Sequence, residues 1–200
     1  MVGIVCVCTG NICRSPLAAH LLATRLADLD VRVTSAGTRA RPGMGVTQET
    51  LKVAVRLGGM NESLQLHSAS FLNDSHLSSA DLALAMGREH RRAIVELDPP
   101  SVRKAFTLRE LSRLVTAVGE DGLVAATNKL TPSERLSDML ALLSSGRGVL
   151  APPVSLDDDD VVDPYRRSER TYALSASQVT LALPAVETLI RLAFATGTRS

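Results

Sequence analysis

A cysteine and an arginine, Cys8 and Arg14, stand at the two ends of a short loop, Thr9-Gly10-Asn11-Ile12-Cys13, near the start of the chain. Held close together, sulfur can attack an electrophilic phosphorus while the planar guanidinium grips two of its oxygens. The flanking sequence positions both. Val2 to Val7 is apolar and rich in β-branched residues, which predicts a buried strand ending at Cys8. Ser15-Pro16 then predicts a helix start, with serine able to cap and proline suited to the first helical position, and Leu17 to Leu29 continues at helical spacing. A loop between a strand end and a helix N-terminus gathers free N–H groups and the positive end of a helix dipole. Such a site binds an oxyanion and favours the thiolate form of a cysteine placed in it.

The composition leaves the recognition local. The chain has 200 residues, 45% of them apolar and 22% charged, enough to bury the core of one domain over 1–200. Lysine and arginine total 22 against 21 acidic residues, a net charge of +1. No global field draws the chain to nucleic acid or an anionic membrane. All three cysteines, Cys6, Cys8 and Cys13, fall within eight residues, which no disulfide framework would use, so a reducing compartment is expected. Cys6 shares a strand face with Cys8 and reads as packing. The N-terminal apolar run lacks the basic region of a signal peptide. Val179 to Ala195 carries Pro184, Glu187 and Arg191 and is too short and charged to span a bilayer. A cytoplasmic protein without membrane insertion is the expectation.

Val7, Cys8, Gly10, Asn11, Ile12, Cys13, Arg14, Ser15 and Pro16 match V-C-x-G-N-I-C-R-S-P, and the stretch closely resembles the signature of the low-molecular-weight protein tyrosine phosphatases. The resemblance covers Met1 to about Arg92 and again Val162 to the C-terminus. It implies a doubly wound α/β fold of flavodoxin-like topology, with a four-stranded parallel sheet and helices on both faces. It also implies the roles. Cys8 falls on the nucleophile, Arg14 on the phosphate-gripping arginine, and Ser15 on the hydroxyl that stabilises the thiolate. Thr9, Gly10, Ile12 and Cys13 complete the phosphate loop, and Asn11 holds its shape. Ser35, in Ser35-Ala36-Gly37-Thr38, and His67 match residues that support the loop. Ser70 stands where the family often has arginine. Cys13 matches a cysteine that can trap an oxidised nucleophile as a reversible disulfide. Arg41 replaces an aromatic wall of the substrate slot, and an arginine there can stack on a ring, favour acidic residues near the phosphate, or be plain surface charge. Val162-Asp163-Pro164-Tyr165 resembles the D-P-[FY] loop, which makes Asp163 the general acid and Tyr165 a ring-facing wall.

The remaining elements fit that frame. Val31 to Ser35 predicts the second strand of a right-handed βαβ unit. Thr47 to Leu57 predicts a helix stopped by Gly58-Gly59. Asp81 to Met86 and Val102 to Thr107 predict the third and fourth strands, and Arg88, His90, Arg91 and Arg92 a solvated helix face between them. Helices around Leu111 to Val118 and Ser133 to Leu143 form an elaboration at about 108–155, read as a lid or a partner surface. Ser155 to Asp160 reads as a solvated acidic loop. Its four aspartates could meet a divalent cation, but consecutive residues cannot all point inward. A closing helix is expected over Ser168 to Ala195, with a break at Pro184.

These residues would hydrolyse a phosphomonoester through a phosphocysteine, with no metal or cofactor. The substrate implied is a phosphotyrosine protein, and since bacterial relatives often reverse tyrosine kinases that govern polysaccharide export, a bacterial tyrosine kinase is a candidate partner. Three rivals use the same residues. An arsenate reductase of this fold would need an external thiol, since no cysteine follows Cys13. A non-catalytic phosphate-binding module would have lost the nucleophile or the acid, and both are present. A cysteine protease pairing Cys8 with His20, His67, His76 or His90 fits poorly, because Arg14 and the short loop suit three oxygens rather than a peptide carbonyl.

Overall fold

The computed structural model describes residues 1–58, 62–150 and 152–195. Four parallel strands, β1 (Val2–Cys8), β2 (Val31–Gly37), β3 (Leu82–Ala85) and β4 (Ala105–Thr107), lie in the order β2-β1-β3-β4. The order reverses at β1, so the crevice beyond its carboxyl end is the place where a ligand meets this kind of sheet. In register, Cys8 lies opposite Gly37, and Val7 opposite Ala85.

Alternation along β1 splits the core between the two faces of the sheet. Val2, Ile4, Cys6 and Cys8 join one cluster, and Val5 and Val7 the other. Cys6 and Cys8 therefore share a face as expected. Burial, helped by the neighbouring Cys8, pushes the Cys6 thiol up to about 12, consistent with a packing role.

Helix α1 (Arg14–Arg25) begins directly at the phosphate-loop arginine. Its N-cap is Cys13, without a side-chain cap, so Ser15 does not cap the helix; its hydroxyl is used elsewhere. Helix α2 (Gln48–Arg56) is capped by Thr47, whose hydroxyl accepts from the Thr50 amide. Gly58, at φ 69°, follows it, while the Gly59 of the expected stop lies outside the described residues. Two short helices, α3 (Glu62–Gln65) and α4 (Asp74–Ser78), lead to β3, and α5 (Arg88–Leu97) follows it. The start of the expected fourth strand, Val102 and Arg103, instead ends a 3-10 turn over Pro99–Arg103, opened by two prolines at positions whose fixed φ suits the first turn of a helix.

Helices α6 (Leu108–Ala125) and α7 (Pro132–Ser145) are packed into the domain rather than closing over the cleft as a lid. Leu111, Leu114, Leu136, Met139 and Leu143 are buried in the same cluster as the β1 face, so this segment is core. Helix α8 (Glu169–Phe194) runs through Pro184 without the expected break. Pro184 is on the exposed side, where water can satisfy the carbonyl it leaves free, while Leu183 and Val186 are fully buried and anchor the helix on either side of it. By length and hydropathy alone α8 could cross a membrane, but its apolar face is spent on this core.

Candidate active site

The loop after β1 is held from outside by its carbonyls. Those of Cys8 and Thr9 accept from the Thr38 and Arg39 amides at 2.9 and 2.8 Å, and that of Ile12 accepts from the Thr47 amide at 3.0 Å. The Asn11 carbonyl meets His67 Nε2 at 2.8 Å. With these acceptors engaged, the amides of Gly10, Ile12 and Cys13 have no partner among the described residues and remain available to an oxyanion.

Asn11 is the hub. It occupies the left-handed region at φ 53° and is fully buried. Its side-chain amide donates to Ser15 Oγ and Ser35 Oγ, both at 2.9 Å, and its Oδ1 accepts from the Ser70 amide at 2.9 Å. Asn11, Ser15, Ser35 and His67 are thus brought together as expected, and Ser70 contributes through its backbone. Gly37 makes this closeness feasible. A Cβ there would lie 2.6 Å from the Thr9 carbonyl oxygen and 2.9 Å from the Asn11 nitrogen.

Cys8 is 2% exposed. Its Sγ lies 3.0 Å from Ser15 Oγ and accepts from the Asn11 amide at 3.3 Å. Ser15 has one hydrogen and two takers, Cys8 Sγ and, at 3.3 Å, the Ala36 carbonyl. When sulfur is charged, the hydrogen belongs to sulfur. Cys13 Sγ lies 3.5 Å from Thr47 Oγ1 and 3.9 Å from Tyr172 Oη, and burial pushes its thiol up. All three cysteines are free thiols.

Arg14 is buried, and its guanidinium donates to the Val161 carbonyl at 3.2 Å and to Thr9 Oγ1 at 3.3 Å. It also pairs with Asp163 Oδ2 at 2.9 Å. The other oxygen of that carboxylate accepts from the Tyr165 amide at 3.2 Å. Asp163 and Cys8, some 150 positions apart in sequence, therefore line one cleft of about 330 Å³ together with Ile12, Arg41, Met44 and Tyr165.

Two contributors escaped the sequence reading. His90, expected on a solvated face, is 1% exposed, and its Nε2 lies 2.8 Å from Thr9 Oγ1. Burial, then the nearby Arg14 charge, lowers it to about 4, so it is neutral near pH 7. Its spacing four residues before the buried Ile94 was the available signal. The second is the acidic run. Asp160 accepts from the Arg88 backbone amide at 2.7 Å, Arg88 also pairs with Asp157, and Arg113 pairs with Asp159 at 2.7 Å. Arg109 donates to the Asp160 carbonyl at 2.9 Å. The run is a clamped 3-10 turn rather than a solvated loop, with these carboxylates turned to arginines.

A parallel α/β sheet that sets a cysteine and an arginine around an anion loop, with a carboxylate in the same cleft, has the make-up of a phosphatase site. The sequence profile of the Low molecular weight phosphotyrosine protein phosphatase family matches residues 3–121, and the chain belongs to that family. Among its relatives is a protein-arginine-phosphatase of Geobacillus stearothermophilus, 36% identical over 122 residues, or 61% of this chain and 76% of that one. Another, from Ralstonia solanacearum, is named a probable low molecular weight protein-tyrosine-phosphatase, EpsP; it is 36% identical over 110 residues, 55% of this chain and 72% of its own. The solved arginine phosphatase YwlE of G. stearothermophilus superposes with a TM-score of 0.63 at 25% identity, covering 94% of this chain and 91% of its own. The tyrosine phosphatase Wzb of Escherichia coli K30, solved with sulphate, shares the fold with a TM-score of 0.63 at 20% identity, over 92% and 95% of the two chains.

Proposed function

We propose that this chain hydrolyses phosphotyrosine in proteins through a phosphocysteine intermediate. The observation that carries the reading is the Arg14–Asp163 pair at 2.9 Å, which brings an oxyanion-gripping guanidinium and a carboxylate able to carry a proton together in the Cys8 cleft.

A phosphoryl group entering the loop competes for Arg14 and frees the half-exposed Asp163 carboxylate, which then takes a proton from solvent, while the Cys8 thiol gives its own proton to solvent. Cys8 sulfur attacks phosphorus, the S–P bond forms and the P–O ester bond breaks, and Asp163 gives its proton to the departing phenolic oxygen. The free loop amides and Arg14 hold the equatorial oxygens as charge shifts. In the second step Asp163 takes a proton from water, whose oxygen bonds phosphorus as the S–P bond breaks, and inorganic phosphate leaves. Ser15 supplies its hydrogen to sulfur when sulfur departs as an anion. Asn11, Ser35 and His67 keep the loop in shape.

The relatives include arginine phosphatases, so phosphoarginine is the second reading. The cleft favours an aryl ester. Ile12, Met44 and Tyr165 offer apolar contact, whereas Arg39, Arg41 and Arg166 would crowd a guanidinium-bearing leaving group with like charge. Asp163, the one carboxylate lining the cleft among the described residues, is already on Arg14. Three free thiols suit a reducing compartment, so we place the protein in the cytoplasm, with a tyrosine-phosphorylated protein such as a tyrosine kinase as its partner.

The test is turnover of matched phosphotyrosine and phosphoarginine peptides by the wild type, Cys8→Ser and Asp163→Asn. Cys8→Ser should abolish phosphotyrosine turnover and Asp163→Asn should lower it by about 10²-fold or more. Faster cleavage of the phosphoarginine peptide by the wild type would overturn the substrate assignment.

A further inference from the structure

The cleft mouth is positive although the chain as a whole is nearly neutral, at +1. Arg39 and Arg41 line one side and Arg166 the other, and all three are exposed. Several arginines elsewhere meet carboxylates, as in Arg25–Glu187, Arg92–Glu96 and Arg191–Asp28. At the mouth they do not: Arg39, Arg41 and Arg166 make no ion pair among the described residues. Among the acidic residues around them, Asp157, Asp159 and Asp160 are held by Arg88 and Arg113 and Asp163 by Arg14, while Glu49 and Glu169 form no ion pair with the three arginines.

Arg166 is also placed at some cost. Its φ of 59° lies in the left-handed region, which disfavours any side chain with a Cβ. That backbone sets its guanidinium 5.2 Å from the centre of the Tyr165 ring, at the edge of the cleft.

Building on the phosphotyrosine reading, we infer that this rim selects phosphotyrosine flanked by acidic residues. The phosphoryl group fills the loop, the tyrosine ring lies against Tyr165, and carboxylates on the neighbouring peptide residues meet Arg39 and Arg41 on one side and Arg166 on the other. Those pairs are solvent-exposed, so each adds little, but together they raise encounter and lower KM for acidic peptides. They make no contact with the reacting bonds, so kcat depends little on the flanks.

Three phosphotyrosine peptides with acidic, neutral and basic flanks decide the matter, measured at low and high ionic strength. The expected kcat/KM is about three- to tenfold higher for the acidic than for the neutral peptide at low salt, carried by KM, with the preference fading at high salt. In Arg41→Gln and in Arg166→Asn, the second chosen because asparagine tolerates a left-handed backbone, the acidic-to-neutral ratio should fall toward one. The ratio is taken within each variant, so a partly impaired variant still reports. Equal kcat/KM for the three peptides in the wild type, or a preference that survives both substitutions, overturns the inference while leaving the phosphotyrosine reading standing. No turnover of any peptide sinks that reading and the inference together.

Discussion

The Asp160 carboxylate accepts the Arg88 backbone amide at 2.7 Å, across 72 residues of sequence. Helix α5 starts after Gly87, which has no side chain to cap it, and Asp160 supplies the missing acceptor from the far side of the cleft. The same residue stands three positions before Asp163 and one before Val161, whose carbonyl holds Arg14. The cap on α5 therefore also anchors the segment that carries Asp163, the proposed acid.

Asp160→Ala should misplace the acid more than it weakens the loop around Cys8. We expect turnover of phenyl phosphate, a poor leaving group, to fall about tenfold and that of a nitrophenyl ester, which scarcely needs a proton, about twofold. An equal fall for both esters would show a general structural effect instead.

Asn11 combines a left-handed backbone with three side-chain hydrogen bonds in full burial. Asn11→Gly keeps the backbone but loses the bonds, at about 2–4 kcal/mol. Asn11→Ala adds the cost of a Cβ in that region, about 1 kcal/mol more. Denaturant melts of the two variants should order them so, and a more stable alanine variant would show that the loop relaxes.

Neutral His90 links stability to pH. Its folded value of about 4 lies below the ordinary histidine value of 6.5, so the unfolded chain binds the extra proton between them. Stability contributed by His90 is present above pH 6.5 and lost as pH falls toward 4. The loss is about 2–3 kcal/mol. His67, His20 and His76, lowered mainly by burial, act in the same direction. The unfolding free energy of His90→Asn should vary less over this window than that of the wild type; parallel curves would remove His90 from the account.

Gly37→Ala would drive a methyl group into the Thr9 carbonyl and the Asn11 nitrogen. Since both belong to backbone, the loop itself must move. A drop in kcat/KM of about 10²-fold with the melt shifted far less is expected from kinetics and calorimetry on the same sample.

What was legible in the sequence was local. The β1 run, the glycine-containing turn and the helix after it announce themselves within sixteen residues, because apolar continuity and turn chemistry act over short range. The family motif likewise marked Asn11, Ser15, Ser35 and His67, which the structure brings together. Around the site the errors were long-range. His90 looked solvated because its neighbours Arg88, Arg91 and Arg92 are charged, yet helical rotation turns it inward beside Ile94. The aspartate run looked idle because the arginines that clamp it lie on α5 and α6. The helices after β4 looked like a cover because nothing in their own pattern says which surface they bury.

Between Asp160, fixed to Arg88, and Ser168, which caps α8 through the Thr171 amide, the chain crosses the cleft mouth in seven residues. That crossing carries Asp163, Tyr165 and Arg166, while the sulfur and its cradle belong to the sheet. Within that crossing the two duties are separable in heredity: changes at Tyr165 and Arg166 can redraw which molecules are accepted while Asp163 and the loop around the sulfur stay as they are, so a lineage can change its diet while keeping its teeth.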